Sequence, residues 1–253
     1  MTEPTEALAD VVARIAAPDS SDRDPLRPRP STGGSVTGEL ARVAAWWRLV
    51  GSDQPLAPVE VPCAPGTIAD GIAAADRAID AGATLLIPRV THRDDRAART
   101  VFALLTRREA SSVVYQPVDM TDRAWMSDVA GVRDAVSTST ELRGEPERLA
   151  AERGSSGIAT AVGLLLGSAA RRTPSIIDGT DELAAALIAD RLCYRAKGWW
   201  WPGSTSPDPG RTAAVDRLDV EPGLPLGLWD DAGLGARATL ALLNLAVGAR
   251  VDD

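Results

Sequence analysis

A short β-branched run reaches Asp178 and Gly179, and a helical pattern begins immediately after them. We expect Thr180 or Asp181 to cap that helix, with Glu182 in its first turn. A strand, a glycine turn and a helix in this order form the unit of a parallel α/β sheet, which binds ligands at the carboxyl ends of its strands. Asp178 and Gly179 are therefore candidate ligand-binding residues, and a purely structural turn is the alternative interpretation.

Scarce residue types narrow the chemistry that the chain can perform. His92 is the only histidine, which excludes a metal site built from several histidines and leaves one candidate for a Ser-His-Asp triad. Its charged neighbours are typical of a solvated helix start. Lys197 is the only lysine, and arginine cannot act as a general base at neutral pH. Any chemistry must rest on carboxylates, backbone amides, hydroxyls and arginines, and we expect neither a metal ion nor another cofactor.

Composition indicates a globular protein that handles small molecules. The 253 residues carry a formal net charge of −8, and 45% of them are hydrophobic. An acidic chain without a basic block is unsuited to binding nucleic acid. No stretch approaches the roughly 18 apolar residues of a membrane span, and the N-terminus lacks the order of a signal peptide. Cys63 and Cys193 stand far apart, which suits a reducing compartment. We therefore expect a cytoplasmic protein without nucleic-acid or membrane partners.

Hydrophobic periodicity predicts alternating helices and strands along most of the chain. Helices are predicted over residues 4–17, 36–50, 67–81, 93–107, 121–136, 145–152, 157–170 and 180–191, with a last helix ending near 247. Strands are predicted at residues 84–90, 113–115 and 174–177, with at most an edge strand at 59–61. This alternation favours a parallel α/β sheet over an all-β fold or a helical bundle.

Tryptophans and prolines lead to further expectations. Residues 197–211 contain three prolines, three glycines and three consecutive tryptophans, which predicts an irregular loop with a tryptophan on a surface or over a pocket. The last helix is so uniformly apolar that we expect it to be buried. Trp46 and Trp47 are large apolar anchors, either for packing on the main body or for a subunit interface.

Five short motifs follow one another in an order typical of one family. They are Arg-Pro and Gly-Ser-Val within 29–36, the run 81–86, the helix, arginine pair and strand of 167–179, Ser-Pro-Asp-Pro-Gly at 206–210, and the glycine-rich segment 224–236. Together they resemble the nicotinate-nucleotide:dimethylbenzimidazole phosphoribosyltransferase family, which makes the lower-ligand riboside of cobalamin. The resemblance covers 67–249 almost continuously and 29–50 more loosely.

The resemblance implies a fold and a domain organisation. The fold is a parallel-sheet, Rossmann-like, three-layer α/β domain, shortened relative to the family and preceded by an extra N-terminal helical segment. We place N-terminal helices and a Pro/Ser/Gly linker at residues 1–55, and the phosphoribosyltransferase-like domain at residues 56–253.

The resemblance also implies site residues at the strand ends. The candidates for binding substrate or phosphate are Arg89, Arg93, Asp178, Gly179, Ser206, Gly233 and Gly235. The family's catalytic glutamate, the general base on the benzimidazole, aligns with Ala232, which cannot accept a proton. Asp230 or Asp231 would have to take its place as the catalytic residue.

Other family motifs are altered. The glycine-rich phosphate loop falls on residues 89–95, where bulky side chains replace the glycines that let backbone amides approach a phosphate. A second glycine turn contains Pro117, which lacks an N–H donor, and a lysine aligns with Asp128. Between Pro55 and Ala69 a large block of the family's central domain is missing.

These departures leave three functions open. We favour a relative without full activity, which binds a nucleotide or azole, or pairs as a homodimer or with a related protein. The second is an active enzyme forming alpha-ribazole phosphate, in which a carboxylate activates the azole nitrogen and nicotinate leaves. The third is an unrelated small-molecule α/β enzyme with a site built from Asp178, the 197–211 segment, Asp230 and Asp231.

Overall fold

The strands of this computed structural model form one parallel sheet. Described residues are 7–18, 38–51, 55–153, 157–220, 223–228 and 233–248. The strands are β1 (Pro58–Cys63), β2 (Leu85–Val90), β3 (Ser175–Ile177) and β4 (Trp200–Pro202), in the order β1-β2-β3-β4. Because all of them run in one direction, their last residues share an edge, where Cys63 lies beside Val90 and Ile177 beside Pro202. We call this the carboxyl edge.

Helices surround the sheet. They are α1 (Leu8–Arg14), α2 (Gly38–Val50), α3 (Ile68–Asp80), α4 (Asp95–Thr106), α5 (Asp122–Ser137), α6 (Pro146–Arg153), α7 (Ile158–Ala170), α8 (Thr180–Leu192), α9 (Pro209–Leu218) and α10 (Leu234–Gly248). Helices α3 and α7 pack on β1, α7 and α8 on β2, and α8 and α10 on β3. The predicted parallel α/β fold is confirmed. The predicted linker after α1 lies almost wholly outside the described residues, and the division at residue 55 stays a prediction.

Helices α3 and α7 touch through their backbones. Thr67 starts α3 with a reciprocal capping box, in which it exchanges hydrogen bonds with Asp70. One turn later, a methyl group at Gly71 would overlap the carbonyl oxygen of Thr160 in α7. A methyl group at Gly163 in α7 would likewise overlap a backbone oxygen of α3. Glycine at both positions therefore permits the close approach that holds these helices beside β1.

The expectation of an irregular loop over 197–211 is wrong for most of this segment, because Trp199 ends a 3-10 helix, Trp200 and Trp201 belong to β4, and α9 begins at Pro209. Only residues 203–208 are irregular. Trp200 and Trp201 pair with β3, and neither is more than 3% exposed. The preceding tryptophan is buried as well, which corrects the expectation of an exposed ring. Pro202 occupies the last strand position and Pro209 the first position of α9, where the absence of an N–H donor is tolerated.

The tryptophans of α2 pack against the body of the protein. Trp46 and Trp47 are 8% and 6% exposed. The ring centroids of Trp46 and Trp201 lie 5.4 Å apart, at an interplanar angle of 46°. The body-packing interpretation is therefore confirmed, and this contact joins α2 to the last strand.

Two further expectations are wrong. Residues 113–115 follow a 3-10 helix, Ala110–Ser112, and form no strand, because apolar periodicity cannot separate a short strand from a buried turn. Helix α10 is not wholly buried, since Leu234 and Leu245 are 40% and 62% exposed. One side of α10 packs on α2. Across the described ranges, no helix has the length and apolar character needed to cross a bilayer.

Candidate functional site at the carboxyl edge

Asp178 joins three elements at the carboxyl edge. It follows β3 directly and is 2% exposed. Its Oδ1 accepts a hydrogen bond from Arg211 Nη2 in α9 at 3.1 Å, and its Oδ2 accepts the N–H of Ala236 in α10 at 3.1 Å. Burial raises the pKa of Asp178, while Arg211 and the Ala236 amide oppose that increase. Both oxygens of this predicted substrate ligand thus have partners within the chain.

A series of polar contacts holds Arg211 in position. Asp208 caps α9 by accepting the N–H groups of Gly210 at 2.8 Å and Arg211 at 3.2 Å. Arg99 of α4 donates to Asp208 at 2.6 Å, and neither side chain is more than 7% exposed. Ser206 Oγ accepts the N–H of Asp208 at 3.1 Å. Ser206, a predicted phosphate ligand, therefore shapes the entry to α9.

Glu182 is a buried carboxyl group that had no predicted role. It lies in the first turn of α8, and its Oε1 accepts the N–H of Val90, at the end of β2, at 2.8 Å. Its Oε2 has no hydrogen-bond partner among the residues described. Burial raises the pKa of Glu182 to about 7, although the Val90 amide opposes the shift.

Gly179 provides the space that Glu182 occupies. Its φ angle of +124° is unfavourable for residues with a side chain, and a Cβ atom at this position would overlap the Glu182 carboxylate. Gly179 is also the N-cap of α8, so the expected caps, Thr180 and Asp181, already belong to the helix. The helix thus begins at Thr180, as the predicted range 180–191 has it, with glycine and not a side-chain cap before it.

The two arginines predicted to bind phosphate lie in different surroundings. Arg89 Nη1 is buried and lacks a hydrogen-bond partner in the described part of the chain, and its Nε lies 4.0 Å from a Glu60 oxygen. Gly233 packs on this guanidinium so closely that a Cβ atom would overlap Nη1. Arg93 is exposed, and its charge lowers the pKa of Glu182 slightly against the effect of burial.

Gly235 brings α10 close to the strand ends. A Cβ atom there would come within 2.8 Å of Asp178 Oδ1 and of the Cβ of Ser204. The structure thus assembles five predicted site residues around one edge: Arg89, Asp178, Gly179, Gly233 and Gly235. Ser206 lies at the start of α9 and Arg93 on the surface. Asp230, Asp231 and Ala232 lie outside the described residues.

Proton chemistry at this edge is limited by burial. Cys63 ends β1, and burial raises the pKa of its thiol to about 12, so it stays protonated and unreactive at neutral pH. Glu182, with its pKa near 7, can hold or release a proton there. One sequence signal could have identified Glu182, because it follows Asp181 at the start of a helix that is otherwise almost entirely apolar.

Comparisons with known proteins identify the family. The family model described as Phosphoribosyltransferase matches residues 62–250. The chain belongs to this phosphoribosyltransferase family. It is 37% identical over 178 residues to a nicotinate-nucleotide–dimethylbenzimidazole phosphoribosyltransferase of Streptomyces avermitilis, covering 70% of this chain and 48% of that protein. A Mycobacterium avium protein of the same name is 36% identical, with coverage of 71% and 52%.

A solved phosphoribosyltransferase structure supports the fold assignment. The crystal structure of the nicotinate-nucleotide–dimethylbenzimidazole enzyme from Thermus thermophilus superposes with a TM-score of 0.58 at 25% identity, covering 70% of this chain and 53% of that one. The chain therefore spans about half the length of the relatives it matches.

Proposed function

We propose that this phosphoribosyltransferase-family chain does not complete the transfer reaction alone and acts as a ligand-binding or partner protein in cobalamin assembly. The relatives are named for transfer between nicotinate nucleotide and dimethylbenzimidazole. Such a reaction requires an anion site for the nucleotide phosphate and a positioned base for the azole. Both free cysteines are buried, which suits the reducing cytoplasm that the sequence predicts.

The hydrogen bond between Val90 and Glu182 carries this proposal. The resemblance places the family's phosphate loop on residues 89–95, where backbone amides would face the anion. In this chain the Val90 N–H donates instead to the Glu182 carboxylate, at 2.8 Å. A phosphate at this amide would have to displace the buried side chain of Glu182. The Glu182 side chain therefore binds an amide that, by the resemblance, would bind the phosphate.

Asp178, another predicted ligand at the edge, is occupied in the same way, because Arg211 and the amide of Ala236 bind its two oxygens. Gly233 packs against Arg89, whose Nη1 has no hydrogen-bond partner among the described residues. The hydrogen bonds that Asp178 and Glu182 make within the chain compete with those that a substrate would make. This pattern supports a family member that keeps the framework without the full reaction.

Partner binding is supported by one helix face. Leu234 and Leu245 of α10 are exposed, whereas the opposite side of that helix packs on α2. An apolar helix with an open side is typical of a protein–protein contact. We propose a homodimer or a pair with a related protein as the assembled form.

A turnover assay tests the catalytic part of the proposal. Purified chain and the Streptomyces avermitilis relative are incubated in parallel with nicotinate mononucleotide and dimethylbenzimidazole, and nicotinate release is followed. We expect the chain to be slower by at least ~10²-fold, the usual effect of losing a positioned base. Equal rates would contradict the proposal.

Two variants of Glu182 test whether its side chain prevents an anion from binding at the Val90 amide. Glu182→Ala removes the carboxylate from Val90, so we expect nicotinate mononucleotide to bind at least roughly tenfold more tightly, as measured by calorimetry. Glu182→Gln keeps an oxygen acceptor in place and serves as the matched control, with a smaller gain. If neither variant changes affinity, Glu182 does not block an anion site.

Light scattering after size exclusion tests the partner role. We expect a dimer of the isolated chain, or a complex when a related family member is added, and Leu245→Glu should weaken either assembly. A thermal-shift screen over nucleotides, azoles and corrinoids tests ligand binding, because a ligand at roughly 100 times its dissociation constant adds about 2.7 kcal/mol of stability. A monomer with no thermal shift would contradict both roles.

The active enzyme is the second candidate, and the gathering of Arg89, Asp178 and Gly233 at one edge favours it. Asp230 and Asp231 stand three and two residues before Gly233 in the sequence, with Ala232 between. Nicotinate release that is abolished by Asp231→Ala or Asp230→Ala, and retained in Asp216→Ala on α9, would establish this alternative.

A further inference from the structure

A second site candidate lies at the opposite end of the sheet. A cavity of about 520 Å³ opens where α8 ends, and we call it the amino-edge cavity. It is lined by Val12, Asp190, Arg191, Leu192, Cys193, Tyr194, Arg195, Lys197 and Arg217. Helix α8 has 13 residues and begins at the carboxyl edge, so the cavity lies roughly 20 Å from Asp178. Nothing in the proposed function uses it.

Positive charge dominates the lining of the amino-edge cavity. Among the described residues that line it, four side chains are cationic and Asp190 carries the one carboxylate, although the whole chain has a net charge of −8. Asp190 is 9% exposed, and its Oδ2 lies 3.8 Å from Arg217 Nη1. This ion pair offsets one of the four positive charges.

The helix ends near the cavity offset only part of its positive charge. Helices α8 and α9 both end near the cavity, and each C-terminus carries about half a negative charge. Asp219, which is largely exposed, lies 3.4 Å from Lys197 Nζ. These groups together offset fewer positive charges than the four side chains supply. The excess distinguishes the cavity from ordinary helix capping.

Two of the cations are held in place by backbone oxygens. Arg195 Nε donates to the Ile15 oxygen at 2.9 Å, and Lys197 Nζ donates to the Leu218 oxygen at 3.0 Å. Each bond uses one of several donors on its side chain, because guanidinium carries five N–H groups and ammonium three. Side chains that are fixed before binding lose less entropy when a ligand arrives.

The walls of the cavity suit a ligand with a flat ring. Val12, Leu192 and Cys193 contribute apolar surface. Tyr194 also lines the cavity and is 69% exposed, so its ring is accessible to a ligand. A planar group can stack on such a ring while an attached anion meets the guanidinium groups. The volume of the cavity lies within the range of small-molecule sites.

We propose that the amino-edge cavity binds a nucleotide, with its phosphate among the cationic side chains and its base against Tyr194. This site is separate from the carboxyl edge and does not depend on the proposed function. Arg191 and Arg217, which are exposed, supply mobile contacts to the phosphate, and Arg195 and Lys197 supply the fixed ones.

Calorimetric titration of the full chain tests the proposal. AMP, inorganic phosphate and adenosine are the probes, and we expect AMP to bind at least roughly tenfold more tightly than phosphate, with no detectable binding of adenosine. Arg191→Ala and Arg217→Ala should each weaken AMP binding about tenfold. Tyr194→Ala should weaken AMP binding and leave phosphate binding unchanged. Raising the ionic strength should weaken both anions.

Arg133→Ala is the matched control, since Arg133 is a 71% exposed arginine on α5. It should bind AMP as the unaltered chain does. Circular dichroism of each variant confirms folding, and Tyr194→Ala, which removes no charge, keeps the test open if an arginine variant fails to fold. Absence of AMP binding, or unchanged AMP affinity in both arginine variants, would overturn the proposal. AMP binding that survives these variants would place the nucleotide elsewhere, including at the carboxyl edge.

Discussion

The carboxyl edge and the amino-edge cavity use similar charged residues in opposite ways. At the carboxyl edge, Asp178 and Arg211 are buried together, and the Glu182 carboxylate binds the backbone of β2. At the amino edge, Arg191 and Arg217 are exposed beside a cavity. Charges that pair inside the fold contribute to its stability, whereas the exposed charges at the amino edge are those that we propose bind a ligand. The carboxyl edge is thus the end of the sheet where the described charged side chains are more deeply buried.

Removing Asp178 should have the largest effect on stability. Asp178→Ala leaves the guanidinium of Arg211 buried without its carboxylate, and we expect the free energy of unfolding to fall by ~3–5 kcal/mol. Urea denaturation measures the change. The double variant Asp178→Ala with Arg211→Met should recover much of the loss, because no unpaired charge remains. A loss below ~1 kcal/mol for the single variant would show that the pair is not a structural one.

Glu182→Gln should reverse a stability penalty that depends on pH. Burial raises the folded-state pKa of Glu182 from 4.5 to about 7, so the folded chain binds more protons than the unfolded chain between these values. The contribution of Glu182 to the free energy of unfolding is fully present below the unfolded-state pKa and is lost as pH rises through the folded-state pKa. Glutamine does not titrate and retains the acceptor for Val90.

Denaturation at several pH values measures this difference. We expect Glu182→Gln to exceed the unaltered chain in stability by up to ~3 kcal/mol at about pH 8, with the advantage disappearing toward about pH 4. Subtracting the two proteins cancels the other buried carboxylates, including Asp178, whose pKa is also raised by burial. An advantage that is constant with pH would mean that Glu182 does not titrate in this range.

Gly235→Ala should disturb the carboxyl edge more moderately. Its methyl group would come within 2.8 Å of Asp178 Oδ1, so α10 must shift, and we expect a loss of ~1–3 kcal/mol by thermal or urea unfolding. Gly144→Ala is the matched control, because a Cβ atom there meets nothing within 4 Å. Equal effects of the two substitutions would show that α10 does not rely on a close approach to Asp178.

Arg191→Ala should have the smallest effect on stability. Arg191 is exposed in the last turn of α8, and we expect the free energy of unfolding to change by less than ~0.5 kcal/mol. Differential scanning calorimetry without ligand makes the measurement. A large loss would assign Arg191 to the fold and remove the contrast between the two ends of the sheet.

Local chemistry explains why much of the fold could be predicted. The capping box at Thr67 and the glycine turn at Gly179 are readable because the residues that cause them are neighbours in the sequence. The tryptophan strand could not be predicted, since its prolines and glycines suggest a loop when neighbours in space are unknown. This segment forms a strand because it pairs with β3 and is buried against α2.

The sequence predicted where the candidate site residues lie, but it did not predict their hydrogen-bond partners. The carboxyl end of β3 follows from the order of strand, glycine and helix, which placed Asp178 and Gly179 correctly at the edge. The partners of Asp178 are 33 and 58 residues away, and Glu182 meets Val90 across 92 residues. Such separations carry no periodic signal, so the partners of a predicted site residue could not be derived from the sequence, and the role of Asp178 in binding a substrate stays a prediction.

The contact between Trp46 and Trp201 also gives the protein an optical property. Two indoles with ring centroids 5.4 Å apart and planes inclined by 46° couple their electronic transitions, which produces a paired band in circular dichroism. The contribution of this pair depends on the distance between α2 and β4, whereas that of Trp46 and Trp47, with ring centroids 6.3 Å apart, lies within α2 alone. Comparing the spectrum with that of a Trp201→Phe variant would isolate the first contribution and so follow the attachment of α2 without a label.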